Sequence, residues 1–227
     1  MTQAEYMLAE NYMLSCMEDS AHDKEHIYRV LYNALEIAEG EPDVDCDVLI
    51  FACLLHDIGR KEQFDNPTVC HAAAGAEKAY LFLLKNGYDE LFAGHVRDCI
   101  YTHRFRKSSP PQSIEAKILF DADKLDAAGA SGLARTLLYK GEVGEPLYSM
   151  LPDGTVSDGT NDQTPSFFQE YRYKLENIYD KFYTAKGAAL AAGRKQAAMD
   201  FYDSLYREMS EPYINGKSRL DKIIKER

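Results

Sequence analysis

The sequence predicts an all-α protein, and three observations support that fold class. Apolar residues recur at spacings of three and four through most of the 227 residues, while the period-two alternation of half-buried strands is rare. The segment DVLIFACLLHDIG, residues 47–59, is apolar on every side, as a central buried helix would be, and its length favours a helix over a strand. No run approaches the roughly 18 apolar residues of a membrane span.

Caps and breakers bound the helices. In KEHIYRVLYNALEIA, residues 24–38, the apolar positions form one stripe, with Ser20 or Asp23 as predicted caps and Gly40 with Pro42 as the predicted stop. Gly59 is expected to close the apolar segment. The last stretch, NGKSRLDKIIKER, is expected to be a solvated terminal helix. Further helices are predicted at about 69–86, 89–103, 113–127, 165–186 and 194–213.

A long loop interrupts the helical pattern. Residues 141–165 are rich in Gly, Pro, Asp and Thr, which is typical of a lid or a mobile connection. We therefore expect a single domain over residues 1–227, with its core at about 20–140 and with the helices of 166–227 packed on that core.

Charge and cysteine usage exclude several function classes. A formal net charge of -11 disfavours nucleic acid as a partner, whereas a small phosphorylated substrate remains compatible with local cations. The five cysteines are odd in number and form no CxxC pair, so we expect reduced thiols rather than disulfides or a zinc ribbon. The first residues lack the blocks of a signal peptide, which predicts a cytoplasmic protein with no membrane partner. A homodimer remains open.

Polar side chains interrupt three apolar helical segments. A histidine borders the stripe of residues 24–38, a His-Asp pair ends the buried segment, and three aspartates crowd into ILFDADKLDAAGA. Buried carboxylates are costly unless they meet cations or hydrogen bonds, and one divalent metal would satisfy all these sites. A mixed nitrogen and oxygen shell suits Mn, Fe, Co, Ni or Zn better than Ca. The residues are His26, His56, Asp57, Asp121, Asp123 and Asp126.

The ordered set of motifs resembles the HD-domain superfamily of metal-dependent phosphohydrolases. The segments HDKEHIYRV, HDIGRK, HAAAGAE, YTHRF and DADKLDAAGASGLAR follow the order of a small HD subfamily that includes bacterial nucleotide pyrophosphohydrolases. The stretch YKLENIYDKFYTAKGAALAAGRKQAAMDFY is similar to the C-terminal half of that subfamily, so the resemblance covers roughly residues 20–210. It implies an HD-domain helical bundle with additional C-terminal helices.

The resemblance also implies a set of metal ligands, His26, His56, Asp57 and Asp123. A helical wheel alone would nominate Asp121 instead of Asp123, because Asp121 falls on the apolar stripe of its helix. The family pattern places the ligand at the aspartate just before the basic residue of DADK, and we follow that pattern. Asp121 is kept as a support for a ligand or as a partner for a sugar hydroxyl.

The remaining histidines divide into two pairs. His71 and His103 stand where related HD enzymes place histidines that bind a second metal or the substrate, and a structural histidine is the alternative for each. The resemblance therefore implies a divalent transition metal, with a second metal or Mg as an addition. His22 is expected to be a capping or surface residue, and His95 a surface residue.

Several cations are predicted to bind substrate phosphates. Each could instead neutralise a nearby carboxylate, and Lys124 is favoured for phosphate. Arg60 in HDIGRKEQ precedes Glu62, whereas some HD nucleotidases carry a glutamate soon after the His-Asp pair to act on water, so the general base is left open. The predicted phosphate ligands are Arg29, Arg60, Lys61, Lys124, Lys174 and Arg194.

The resemblance implies hydrolysis of a nucleotide, and specifically of a nucleoside triphosphate to the monophosphate and pyrophosphate. Asp57 or Asp121 would accept the proton of water, His71 or His103 would donate one to the leaving group, and Lys124 would stabilise phosphoryl charge. Two alternatives remain, a di-iron HD-type oxygenase and a non-catalytic module that senses a nucleotide. Two irons with oxygen consumption would indicate the first, and binding without turnover the second.

Overall fold

The computed structural model describes residues 1–17, 24–104 and 109–225, and regular structure in these ranges is helical. The prediction of an all-α protein is confirmed. Within the described ranges the one extended pairing is an isolated bridge between Met150 and Val156. The helices are α1 (Gln3–Met17), α2 (Lys24–Ala38), α3 (Cys46–Leu55), α4 (Arg60–Asp65), α5 (His71–Lys85), α6 (Glu90–Thr102), α7 (Ile114–Asp126), α8 (Gly129–Glu142), α9 (Phe167–Tyr173) and α10 (Ala185–Lys225), with a 3-10 turn at Leu175–Asn177.

Helix α2 has the predicted extent, whereas the apolar segment ends earlier than predicted. The proposed caps Ser20 and Asp23, and His22, lie outside the described residues. Helix α3 begins where the Asp45 carboxylate accepts hydrogen bonds from the backbone of residues 47 and 48, and it ends at Leu55. The His-Asp pair therefore lies in the turn between α3 and α4, where the side chains are not restricted to one helix face.

Gly59 lets this turn approach α5. A Cβ at residue 59 would lie 2.3 Å from the backbone oxygen of His71 and 2.4 Å from the backbone nitrogen of Gly75. The φ of Gly59 is -94°, so the requirement is for space and not for an unusual backbone conformation. A glycine at this position thus keeps the His-Asp turn and the first residues of α5 in direct contact.

The helices beyond residue 126 differ from the predicted ones. Helix α8 lies where the sequence predicts no helix, because its first residues are a run of Gly and Ala that gives no helix-start signal. The run begins with Gly129, whose φ is 74°. The predicted helix at 165–186 consists instead of the short α9 and the 3-10 turn. The helix predicted to end at 213 continues to residue 225 through Pro212, and residues 211–225 are exposed, as expected for a solvated end. The loop between α8 and α9 occupies nearly the predicted range.

The described residues form two compact units. The first extends to Asp126 and includes Phe182–Ala188, and the second comprises Ala127–Lys181 and the part of the chain from Ala189. In the first unit, seven of the ten residues of α3 are buried, which makes α3 the central helix. In the second, the rings of Tyr171 and Tyr202 stack 3.9 Å apart within an aromatic cluster. The single-domain organisation stays a prediction.

Length and apolar character together distinguish the described helices from a membrane span. In the part of the chain that the structure describes, none combines the length and the apolar character needed to cross a bilayer. The five cysteines all lie in that part, and they form no disulfide.

Candidate metal centre

Six side chains of the first unit converge in two groups of three. His26, on α2, lies with His56 and Asp123 in the first group, and Asp57 lies with His71 and His103 in the second. Within each group the potential ligand atoms lie within 4.8 Å of one another. The two groups bring together α2, the turn after α3, the start of α5, the end of α6 and the end of α7.

The two oxygens of Asp57 face different groups. Oδ2 lies 3.6 Å from Nε2 of His26 and 3.6 Å from Nε2 of His56. Oδ1 lies 3.5 Å from Nε2 of His71 and 3.7 Å from Nε2 of His103. The Asp57 side chain is 3% exposed. A single buried carboxylate therefore stands between two pairs of imidazoles, with one oxygen for each pair.

The separations within the groups suit a metal ion. Nε2 of His26 lies 3.4 Å from Nε2 of His56 and 3.3 Å from Oδ1 of Asp123, and the Nε2 atoms of His71 and His103 lie 3.3 Å apart. Ligands about 2.1 Å from a common ion in tetrahedral geometry are roughly 3.4 Å from each other. Oδ1 of Asp57 is buried, and its ion pair with Nε of Arg60 at 2.9 Å lacks hydrogen-bond geometry, so this oxygen accepts no hydrogen bond from the described residues. The donor set therefore fits a divalent transition metal.

Each of the four histidines is oriented through its other nitrogen. Nδ1 of His26 lies 2.7 Å from Oδ2 of Asp126, and Nδ1 of His71 lies 2.5 Å from Oε1 of Gln63. Nδ1 of His56 and of His103 lie 2.7 Å and 2.6 Å from the backbone oxygens of residues 53 and 100. These partners accept, so each Nδ1 carries the proton and donates it. Each Nε2 thereby faces the centre, where it can bind a metal once it is deprotonated.

Burial and charge separate the pKa values of the centre. Burial, with the Arg60 charge, lowers the pKa of His71 to about 2, and burial with the nearby His56 ring lowers that of His103 to about 4. Burial opposes protonation of His26, yet hydrogen bonds with Asp123 and with Asp126 raise its pKa to about 9. Neutral His71 and His103 at pH 7 favour the ligand role over the proton-donor role.

The carboxylates of the centre are ionised. Burial acts to raise the pKa of Asp57, but Arg60 and the neighbouring histidines hold it well below its usual value. The pKa of Asp123 is likewise lowered, against burial, by its hydrogen bond and charge interaction with His26. The Asp123 side chain is 27% exposed, whereas those of His26 and His56 are 8% and 0% exposed. The first group therefore reaches solvent on the side of Asp123.

Asp121 has a different setting from Asp123. Its carboxylate accepts hydrogen bonds from the backbone nitrogens of Tyr183 and Thr184 and from the Thr184 hydroxyl, at 2.7 to 3.0 Å. Thr184 in turn accepts from the backbone nitrogen of Gly187 at the start of α10. The wheel argument correctly gave a buried Asp121, but the hydrogen bonds of Asp121 organise the start of a helix. The family pattern, in contrast, selected the aspartate that lies beside His26.

The predicted phosphate ligands fall into three settings. Nε of Arg60 lies 2.9 Å from Oδ1 of Asp57, and Arg29 binds Asp126. Lys61 is half exposed and lies 3.8 Å from Asp65, and the Lys124 ammonium lies over the ring of Phe120. The two remaining cations belong to the second unit, and their role stays a prediction. They are Lys174, which pairs with Glu170 at 3.0 Å, and Arg194.

Two further residues support the centre: Asp126, which the sequence placed in the aspartate cluster without a role of its own, and Gln63, which the sequence did not indicate. Asp126 binds His26 through Oδ2, and its Oδ1 accepts from Nε of Arg29 at 2.7 Å. The spacing of three residues from Asp123 on α7 could have indicated it, because both then share a helix face. Gln63 supports His71 from α4, and the sequence carries no signal for that contact. His95, expected at the surface, is half buried and lies 3.0 Å from the Glu115 carboxylate.

Comparison with known proteins identifies the domain. A family model described as the HD domain matches residues 24–128, a range that contains all six side chains of the centre. Residues 24–128 therefore form an HD domain, and solved neighbours described as HD-superfamily hydrolases support a hydrolase.

The relatives cover almost the whole chain. The protein YpgQ of Bacillus subtilis is 27% identical over 192 residues, which are 85% of this chain and 86% of YpgQ. The crystal structure of YpgQ in complex with ADP has a TM-score of 0.70 at 27% identity and covers 90% of this chain and 95% of that chain. A predicted HD superfamily hydrolase from an uncultured Thermotogales bacterium has a TM-score of 0.61 at 29% identity, covering 92% and 99% of the two chains.

Proposed function

We propose that this hydrolase is a metal-dependent phosphohydrolase that acts on a nucleotide. The observation that carries the proposal is the orientation of four imidazole Nε2 atoms toward the two oxygens of the buried Asp57 carboxylate. The ADP bound in the solved structure of YpgQ supports a nucleotide ligand. The more specific reaction, cleavage of a nucleoside triphosphate to the monophosphate and pyrophosphate, follows from the resemblance described above.

A divalent ion bound by this set would lower the pKa of a water molecule from near 16 to about 7 and polarise the phosphoryl oxygens. The residues of the chain would supply orientation and charge. His26, His56, Asp57 and Asp123 would hold the ion, and their buried hydrogen-bond partners would keep them in position. Manganese, iron, cobalt, nickel and zinc all suit this set.

The cations around the centre would bind the phosphates. Arg60 and Lys124 are adjacent to proposed ligands, and Arg29 lies on the helix face of His26. One guanidinium group can donate two parallel hydrogen bonds to two phosphate oxygens, and its charge would neutralise the charge that develops during phosphoryl transfer. Glu62 is a weak candidate for the base, because it binds Lys78 at 2.7 Å. Asp57 lies between the groups, but its low pKa makes it a weak base as well, so the proton acceptor stays open between Asp57 and Asp121.

A di-iron oxygenase is the second candidate function. The observation that favours it is the second triad, because Asp57 could bridge two ions with His71 and His103 completing the other half. Iron content near two per chain together with oxygen consumption would support this alternative. A single ion of any metal with phosphate or pyrophosphate release would exclude it.

The test is a substrate panel with separate readouts. Metal-reconstituted protein is incubated with nucleoside triphosphates, diphosphates and phosphorylated metabolites, and orthophosphate and pyrophosphate are measured separately. Pyrophosphate with the monophosphate supports the proposal. Orthophosphate alone would indicate a nucleotidase or phosphatase, and no product from any member of the panel would contradict the proposal.

Replacement of Asp57 tests the ligand assignment. Asp57→Ala is expected to abolish both metal retention and turnover, since it removes one carboxylate oxygen from each group. Asp98→Ala is the matched control, because Asp98 is a 68% exposed carboxylate that pairs with Arg97 at the surface. Metal content after gel filtration and product release are measured for both. Activity retained by Asp57→Ala would contradict the assignment.

A further inference from the structure

A cation of the chain itself already stands against the second group. Arg60 is the first residue of α4, and its Nε lies 2.9 Å from Oδ1 of Asp57. That is the oxygen that faces His71 and His103, whereas Oδ2 faces the first group. An ion held by the second group would therefore share its one carboxylate oxygen with a guanidinium.

The two groups differ in the charge that they offer to a cation. The first has the whole carboxylate of Asp123 in addition to Oδ2 of Asp57. The second has two imidazoles, which are neutral ligands, and the Oδ1 of Asp57 that Arg60 already contacts. A like charge close to a binding site weakens cation binding, so the second group should attract an ion much less than the first.

We infer that the Arg60 guanidinium occupies the place of a second metal ion beside His71 and His103. The centre then binds one metal ion tightly, and it binds a second only when Arg60 moves away from Asp57. This inference rests on the proposed function and concerns the regulation of the same site. The first ion occupies the group of His26, His56 and Asp123. Arg60 neutralises the other side of the shared carboxylate, which prevents a second ion from binding at low metal concentration.

The position of Arg60 allows such an exchange. Its side chain is 30% exposed, in contrast to 3% for the Asp57 side chain, so it can turn outward without opening the buried core. A guanidinium group can also donate two parallel hydrogen bonds to two oxygens of one phosphate. A phosphate group of the substrate would thus compete with Asp57 for Arg60, and substrate binding would favour entry of the second ion.

The first experiment measures the ions directly. Metal-free wild-type protein is titrated with Mn²⁺ alone, and bound ions are counted by equilibrium dialysis and by electron paramagnetic resonance, which also detects coupling between two close Mn²⁺ ions. The expected result is one ion per chain bound in a first step, and a second bound at least about tenfold more weakly. Two ions of equal affinity in the wild type would overturn the inference.

The second experiment changes the charge at residue 60. Arg60→Gln is expected to strengthen binding of the second Mn²⁺ by about tenfold or more and to give the coupled signal at lower metal concentration, because one like charge is removed. Arg60→Lys keeps the charge and should resemble the wild type. Lys61→Gln is the matched control, since it removes a cation that is half exposed and lies beside Asp65.

The outcomes separate this inference from the proposed function. Unchanged second-ion binding in Arg60→Gln, with its circular dichroism and thermal unfolding like the wild type, would overturn the role of Arg60 while one-ion binding still supports the hydrolase. If Arg60→Gln and Lys61→Gln strengthened binding of the second Mn²⁺ equally, the cause would be general surface charge, and the inference about Arg60 would be overturned as well. A wild-type chain that retains no ion at all would contradict the proposed function, and the inference would fail with it.

Discussion

Asp126→Asn would perturb the metal centre by replacing one carboxylate oxygen with an NH₂ group. The two oxygens of Asp126 accept from two side chains at once: Oδ2 accepts from Nδ1 of His26 at 2.7 Å and from Nη2 of Arg29 at 3.1 Å, and Oδ1 accepts from Nε of Arg29 at 2.7 Å. An asparagine has one oxygen and one NH₂ group, so one of these donors must face another donor. If the oxygen stays with Arg29, His26 is driven to the tautomer that carries its proton on Nε2.

The magnitude follows from that tautomer. A proton on Nε2 occupies the lone pair that faces His56 and Asp123, and metal binding must then restore the other tautomer against an unfavourable contact. Loss of a partner that orients a metal-binding histidine typically costs 10- to 100-fold in metal affinity, or about 1.4 to 2.7 kcal/mol. We therefore expect the dissociation constant of Asp126→Asn for Mn²⁺ to rise by about this factor.

The assay compares Asp126→Asn with a surface variant of the same chemistry. Mn²⁺ affinity is measured by calorimetric titration of both metal-free proteins, and unfolding by denaturant checks that each is folded. Asp98→Asn, at a 68% exposed carboxylate, is expected to bind like the wild type. Wild-type affinity in Asp126→Asn would refute the claim that Asp126 holds His26 for the metal.

Three further predictions concern packing, titration and thiol reactivity. Gly59→Ala should lower the free energy of unfolding by about 1 to 3 kcal/mol, because the new Cβ would meet two backbone atoms, whereas Gly94→Ala adds a Cβ with nothing within 4 Å and should not destabilise the protein. Denaturant titration measures both variants, and equal stability of the two would contradict the close packing at residue 59. Since the pKa of His26 rises from 6.5 to about 9 on folding, the stability that its protonation gives the metal-free protein should be complete below pH 6.5 and be lost as the pH rises through 9. His26→Gln, measured with a chelator, should lack that decline, and an identical pH profile of stability in both proteins would contradict the raised pKa. Burial raises the pKa of Cys53 above its usual value and that of Cys99 to about 12, so these two thiols should react with a disulfide reagent only after unfolding, and rapid reaction of all the thiols in the native chain would contradict their burial.

The helical class and the first-unit helices could be predicted from local pattern. In α2 the apolar stripe and the helix bounds agree because one face packs inward along its whole length. The apolar segment was predicted one turn too long, since hydrophobic character continues through Ile58 although the helix ends at Leu55. The break before α10 had no local signal, because the contacts of Asp121 with residues 183 and 184 hold the chain there.

The candidate ligands were predictable for a different reason. His56 and Asp57 are polar residues at the end of an apolar segment, and the ordered motifs supplied the others through resemblance. Periodicity alone selected Asp121 over Asp123, since a wheel reports only which face of a helix is buried. It cannot report whether the buried side chain meets a histidine or the start of another helix.

Sequence alone was sufficient for the all-α class and for the kinds of side chain that a metal would need, because both depend on residue type and short-range spacing. Tertiary structure decided that Asp57 presents one oxygen to each group, that Asp126 and Gln63 hold two of the histidines, and that Arg60 contacts one side of the shared carboxylate. These contacts join residues from separate helices of the first unit. Distances across such contacts are set by how the helices pack against one another, and the spacing of residues along the chain shows which face of a helix is buried but not which residues it meets.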